Sequence, residues 1–215
     1  MKKAYSLLGV LIAIVFIGAY IAVQRAEAPT PADLESPITN NVTNEAASRV
    51  SPESMALLLT SPAFGDGAFI PSKYTCDGEN INPELNISGV PEGTVSLVLL
   101  MDDPDIPNEI KESRGITKFD HWTIFNMGPV TTQVTENSVP VGVVGKNGGG
   151  NSTYTGPCPP PQYEPKVHRY FFKLYALNTM LNLTEEATQD EIVSAMKNHI
   201  MEETALIGRY ERTGE

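Results

Sequence analysis

Basic residues are scarce in this chain. Fifteen Lys and Arg stand against 26 Asp and Glu, a net charge of −11 over 215 residues. The first 28 residues carry +2, so the remainder carries −13. Nucleic acid needs neutralising cations along its backbone, so it is excluded as a partner. An anionic lipid surface is repelled in the same way, and recognition of a phosphate must come from a local pocket rather than from a basic face. Motifs for metals, cofactors and nucleophiles are missing too. There is no HExxH, no paired CxxC and no GxSxG, and Gly145-Lys146 lacks the strand, glycine spacing and helix of a P-loop. Asp102, Asp103 and Asp105 lack the glycine-centred loop of a calcium hand, and Pro104 and Pro107 oppose its curl. No motif implies a cofactor. Among metals, only zinc on one Asp and two His is left open by spacing alone.

Cysteine is limited to Cys76 and Cys158. An even pair in an exported domain permits a disulfide, and two separate buried thiols are the alternative.

One long apolar run is present. Lys2 and Lys3 precede Tyr5 to Val23, which holds no charge. At ~1.5 Å per helical residue this run matches a hydrocarbon core of ~30 Å. A soluble helix would show a polar stripe, and this one shows none. Ala26-Glu27-Ala28 resembles a cleavage site, but Pro29 follows it and the run exceeds the ~7–15 residues of a signal core. Residues 1–28 therefore read as a membrane anchor in preference to a cleaved signal segment. The basic residues before the span place the rest of the chain outside the cytoplasm, anchored, or secreted if the segment is cut. No cysteine follows the run, which excludes a bacterial lipoprotein anchor.

Residues 29–53 are rich in Pro, Thr, Asn, Ser and Ala, as a flexible linker is. Residues 54–215 change to short apolar runs between Gly, Pro, Asn and Asp clusters, the texture of a β-rich domain. Val95 to Met101 (VSLVLLM) is nearly all apolar, as expected of a strand covered on both faces. His121 to Met127, Arg169 to Leu177 and Ala205 to Tyr210 are further strands, and a glycine- and proline-rich irregular stretch covers 145–167. Thr188 to Glu191 has the capping-box pattern, with Ile192, Met196 and Ile200 at i, i+4 and i+8. Strands outnumber helices, so the fold class is mainly β: sandwich-like antiparallel sheets with a few short helices.

His121 and His168 open two of these strands beside loops, where a rigid scaffold presents binding groups. His199 falls on the apolar side of the expected C-terminal helix and reads as structural. Asp103 ends an apolar strand, where a carboxylate is costly to bury without a partner. His121 is the economical one, with His168 alongside, since an Asp on one ring nitrogen orients the other toward an anion. His168 and Tyr170 share a strand face, while Arg169 points away into structural pairing. The glycines of 145–156 expose backbone N–H groups that can cradle phosphate oxygens.

Five segments then resemble one family. They are Tyr74-Thr-Cys-Asp-Gly-Glu-Asn-Ile-Asn-Pro83, Asp103-Pro-Asp-Ile-Pro107, His121-Trp-Thr-Ile-Phe-Asn126, Gly156-Pro-Cys-Pro-Pro160 and His168-Arg-Tyr-Phe-Phe-Lys-Leu-Tyr-Ala-Leu177. In this order, across residues 56 to 212, they are similar to the signature blocks of the phosphatidylethanolamine-binding family, in its bacterial and archaeal Raf kinase inhibitor-like branch. The resemblance implies a sandwich of antiparallel sheets and a pocket for phosphate-type anions lined by Asp103, His121, Gly156, His168 and Tyr170. It also brings Cys76 and Cys158 toward the pocket rim. Two departures stand out: the seven residues Pro161 to Val167 make a longer connection than is usual, and Gly148 to Gly150 replaces a common aromatic. Three functions compete. The first is non-enzymatic binding of a phosphorylated small molecule or phospholipid headgroup. The second is inhibition of a protein kinase or protease through a variable loop at 108–120. The third is hydrolysis by Asp103 and His121, ranked last because no motif places a nucleophile beside them.

Overall fold

The structure, a computed structural model, describes residues 56–139 and 141–212. The membrane anchor expected over 1–28 and the linker over 29–53 lie outside the described residues. No described helix is long and apolar enough to cross a membrane.

Among the described residues eight strands and two α-helices follow one another, with a short 3-10 turn at Ser72–Tyr74: β1 Leu58–Thr60, β2 Leu85–Ser88, β3 Ser96–Asp103, α1 Asn108–Arg114, β4 Phe119–Met127, β5 Gln133–Val134, β6 Val143–Val144, β7 Val167–Leu177, α2 Gln189–Met196 and β8 Ile200–Glu211. A three-stranded sheet runs β1-β2-β5 and a five-stranded sheet runs β6-β4-β3-β7-β8, every pair antiparallel.

All eight residues of β3 are buried because its sheet is the middle layer. The two-residue period sends Leu97, Leu99 and Met101 into a core shared with Leu59, Leu85, Ile87 and Val134 of the small sheet. Val98 and Leu100 face the other way, onto Ile192 and Met196 of α2. Each such fully buried side chain contributes about 1.5–3 kcal/mol of transfer free energy. Helix α2 starts at a complete capping box, Thr188 receiving Glu191 N–H while Glu191 reaches back to Thr188 N–H. The helix stops at Met196, so Ile200 does not extend its apolar stripe but opens β8. His199 lies in the turn between them, its Nδ1 2.9 Å from Asn178 Oδ1, not on the helix.

Segment 108–120 is not simply a loop. Pro107 opens the seven-residue α1, and Gly115, at φ 65°, closes it with an N–H to Lys111 O.

Candidate functional site

Strand parity and one irregularity assemble the site. The parity that sends Met101 into the inter-sheet core also sends Asp103 to that side, at the end of β3. On β7, His168 and Tyr170 are buried and Arg169 is exposed, as alternation requires. Arg169 turns outward to Asp105, donating to it from its backbone N, Nε and Nη2, and this guanidinium holds the Asp105 carboxyl below its usual range.

His121 reaches the same space by a β-bulge. Met101 pairs with Trp122, but Asp102 pairs with Asp120, so His121 is the extra residue of β4. A regular strand would turn His121 away from Trp122. The bulge instead sets its ring edge-on to Tyr170 at 5.2 Å and to Phe119 at 4.9 Å.

The pairing differs from the one expected. Asp103 Oδ2 accepts from His168 Nδ1 at 2.6 Å, not from His121, and Asp103 Oδ1 accepts the Asp105 N–H at 2.7 Å. Parity explains the exchange, since His168 sits on the neighbouring strand and on the face that Asp103 occupies. The His121 Nδ1 instead donates to the Thr155 carbonyl at 2.6 Å. That fixes its tautomer, because a carbonyl oxygen can only accept. Burial pulls the His121 pKa down, against the opposing pull of Thr155 O and Asp103, so the neutral ring presents a lone pair at Nε2.

Among the described residues, two buried side-chain polar atoms are left without a hydrogen bond, His168 Nε2 and the Tyr170 hydroxyl. The Cys158 backbone N–H faces that hydroxyl but falls outside hydrogen-bond geometry. Burial pushes the Tyr170 phenol far above its ordinary range, so it remains a donor at all physiological pH. Unpaired buried groups are costly and rare in native proteins; His168 lines a cleft of about 240 Å³, whereas Tyr170 is not on its lining and packs, fully buried, against His121 and His168, which are. The cleft's polar end holds Asp103, His121 and His168, and its walls are Ile106, Ile110, Phe119 and Pro160.

The far wall is a strap, residues 154–160, pinned to the turn at 72–80. Tyr154 donates its hydroxyl to Tyr74 O at 2.8 Å, Gly156 N–H donates to Asn80 Oδ1 at 2.8 Å, and Cys76 N–H donates to Pro157 O at 3.1 Å. Cys76 and Cys158 are joined in a disulfide, with Cα atoms 5.4 Å apart. Gly156 is required by close approach: a Cβ there would lie 2.4 Å from Tyr74 O and 2.7 Å from Asn80 Oδ1. Its N–H is spent on Asn80, so Gly156 supplies room and not a donor.

The glycine loop is no anion cradle. Gly145 N–H goes to Thr123 O, Gly148 to Asp120 O, Gly149 to Asn147 Oδ1 and Gly150 to Asn147 O. Asn147 organises it, accepting from Gly149 and Asn151 while donating to Thr153 O and Thr155 Oγ1. Among the described residues no three His, Cys, Asp or Glu are grouped as metal ligands would be. Arg114, at the cleft's mouth, was not singled out in the sequence, since a lone arginine in a charged segment carries no signal there.

Fold and site define a class, antiparallel two-sheet β proteins with a small cleft at one end of the inter-sheet core. The family model for phosphatidylethanolamine-binding protein matches residues 60–211. A UPF0098 protein of Methanothermobacter thermautotrophicus is 44% identical over 160 residues, covering 72% of this chain and 98% of that protein. A Chlamydia pneumoniae UPF0098 protein is 43% identical over 155 residues, covering 72% and 99%. Among solved structures, a putative phosphatidylethanolamine-binding protein homologue from Chlamydia trachomatis superposes with a TM-score of 0.67 at 39% identity, over 73% of this chain and 98% of that one. Escherichia coli YbcL superposes with a TM-score of 0.65 at 26% identity, over 73% and 99%. The chain belongs to the phosphatidylethanolamine-binding protein family.

Proposed function

We propose that this protein is a non-enzymatic binding protein that holds the phosphoryl group of a small molecule or phospholipid headgroup at the polar end of the cleft. The observation that carries the reading is the buried, unpartnered Nε2 of His168, which lines that end, with the Tyr170 ring, its hydroxyl also unpartnered, packed against His168 and His121. Asp103 orients His168 through Nδ1, and His121 completes the polar end. The names of the family and of its Chlamydia trachomatis relative, both phosphatidylethanolamine-binding, support a phosphate-bearing ligand. Against an enzyme stands the lack of an activated nucleophile: Cys158 is in the disulfide, Thr155 Oγ1 is hydrogen-bonded to Asn147, and the Tyr170 phenol is held protonated. On the strength of the apolar segment 5–23, the domain works outside the cytoplasm.

Calorimetry with inorganic phosphate tests the reading. His168→Ala should weaken binding by about 1.5–3 kcal/mol, the scale of a charge-assisted hydrogen bond. His199→Ala, in the distant turn, is the matched control and should leave it unchanged. Ethanolamine alone, a cation that the Nε2 lone pair of neutral His121 would welcome, should not bind. Equal phosphate affinity in all three proteins, or binding of ethanolamine without phosphate, would refute the anion site.

A further inference from the structure

The cleft is asymmetric in charge. Its polar end is the Asp103–His168 pair and His121, its walls are apolar, and its mouth carries one cation. On α1, Pro107, Ile110 and Arg114 follow the helical repeat and all three line the cleft. Glu109 and Glu112 lie off that face and are exposed. Arg114 makes no ion pair or side-chain hydrogen bond among the described residues. The other cations nearby are engaged, Arg169 with Asp105 and Lys118 with Asp120 and Gln189. The only carboxylate lining the cleft is Asp103, and both of its oxygens already accept protein hydrogen bonds. The cleft thus has no free acid for an ammonium and a free guanidinium where the outer part of a bound molecule would lie. The chain's overall charge of −11 favours cations at long range, so any rejection of them here is local.

Apolar walls at Ile106, Ile110, Phe119 and Pro160 face the organic part of a ligand whose phosphate sits at the polar end. We propose that the cleft selects a phosphate monoester with an uncharged, apolar organic part over one ending in an ammonium, and that Arg114 enforces the choice. This rests on the phosphoryl-binding reading above.

One isosteric pair tests it: n-propyl phosphate and O-phosphoethanolamine differ only by a terminal methyl against an ammonium. Affinities of both, with inorganic phosphate as reference, are measured by calorimetry on the full-length protein and on Arg114→Ala and Arg114→Glu. The wild type should bind propyl phosphate about ten-fold tighter, combining the apolar contact of the methyl with repulsion at an exposed arginine. Arg114→Ala should narrow the ratio to about four-fold, the apolar part alone, and Arg114→Glu should bring it to about one or invert it. A wild-type ratio at or below one overturns the selectivity, as does a ratio identical in all three proteins. If inorganic phosphate binds in either case, the anion site itself stands. If it binds to none of them, the phosphoryl-binding reading fails first.

Discussion

Binding of phosphate should be linked to one proton, and pH is the perturbation that reveals it. With Nδ1–H given to Thr155 O, neutral His121 presents a lone pair at Nε2, and a phosphate dianion set against it is repelled. The contact becomes attractive only when a proton lies between them, carried either by the imidazole or by the phosphate. The bound state then holds one more proton than neutral His121 and the dianion hold apart, so affinity falls as pH rises. For a phosphate monoester such as n-propyl phosphate, with a second pKa of about 6, the loss above that pH should be tenfold per unit. Between pH 7 and pH 9 that is about 100-fold, or roughly 2.7 kcal/mol. Below pH about 6 the curve should level, because phosphate then arrives with its own proton. Sulfate brings none and depends wholly on His121, whose pKa burial pulls down, so its affinity should keep climbing as pH falls through that level. Calorimetry across this range, in buffers of different ionisation enthalpy, counts the protons directly. His121→Gln, whose amide can donate without a proton, should flatten the phosphate curve. An affinity unchanged from pH 7 to pH 9 in the wild type would show that no proton travels with the anion and that His121 does not face it.

Three further outcomes are expected. Tyr170→Phe should move stability and affinity in opposite directions, raising the unfolding free energy of the free protein by up to about 1 kcal/mol while weakening phosphate by about 0.5–1.5 kcal/mol, because a buried unpaired hydroxyl is lost from one state and a donor from the other. Chemical denaturation and calorimetry on the same samples decide this, and parallel losses would refute it. Gly156→Ala should destabilise by about 1–3 kcal/mol by driving a Cβ into Tyr74 O and Asn80 Oδ1, and an unshifted denaturation midpoint would mean the strap yields freely. Thiol titration of the denatured, unreduced protein should find no free thiol, and reduction of the Cys76–Cys158 link, which spans 82 residues, should cost at most roughly 4.5 kcal/mol by loop entropy.

Local patterns read from the sequence survive where one element decides them. The apolar run expected as a strand over 95–101 is β3, Ser96–Asp103, covered on both faces, with Val95 outside it and exposed, and Thr188 to Glu191 caps a helix, because neighbouring residues suffice to specify each. The shared face of His168 and Tyr170 follows from two-residue alternation within β7 alone. Helix α1 left no trace in the pattern for a physical reason. It has seven residues, none of them buried, so it shows no apolar period over its length.

What the sequence could not yield are the relations between elements, and Asp103 is the sharpest instance. Its need for a partner is evident from one residue, a carboxylate ending an apolar strand, but the choice between His121 and His168 depends on which faces of two neighbouring strands turn inward. The β3–β7 register brings His168 Nδ1 to Asp103, and the β4 bulge is what lets His121 share the cavity at all. A bulge leaves no mark in composition or periodicity, since it is a pairing of two residues against one. The glycine loop shows the same limit from the other side. Its glycines suggested free N–H groups, yet Asn147 and two β4 carbonyls consume them, and the capacity for a polar ligand passes instead to His168 Nε2 and the Tyr170 hydroxyl. Both sit on a long central strand with neighbours on each side, so their positions are set by the sheet and not by any loop. A ligand bound there meets groups already in place, and variation in the strap and in α1 can change what the cleft accepts without disturbing the atoms that hold the anion.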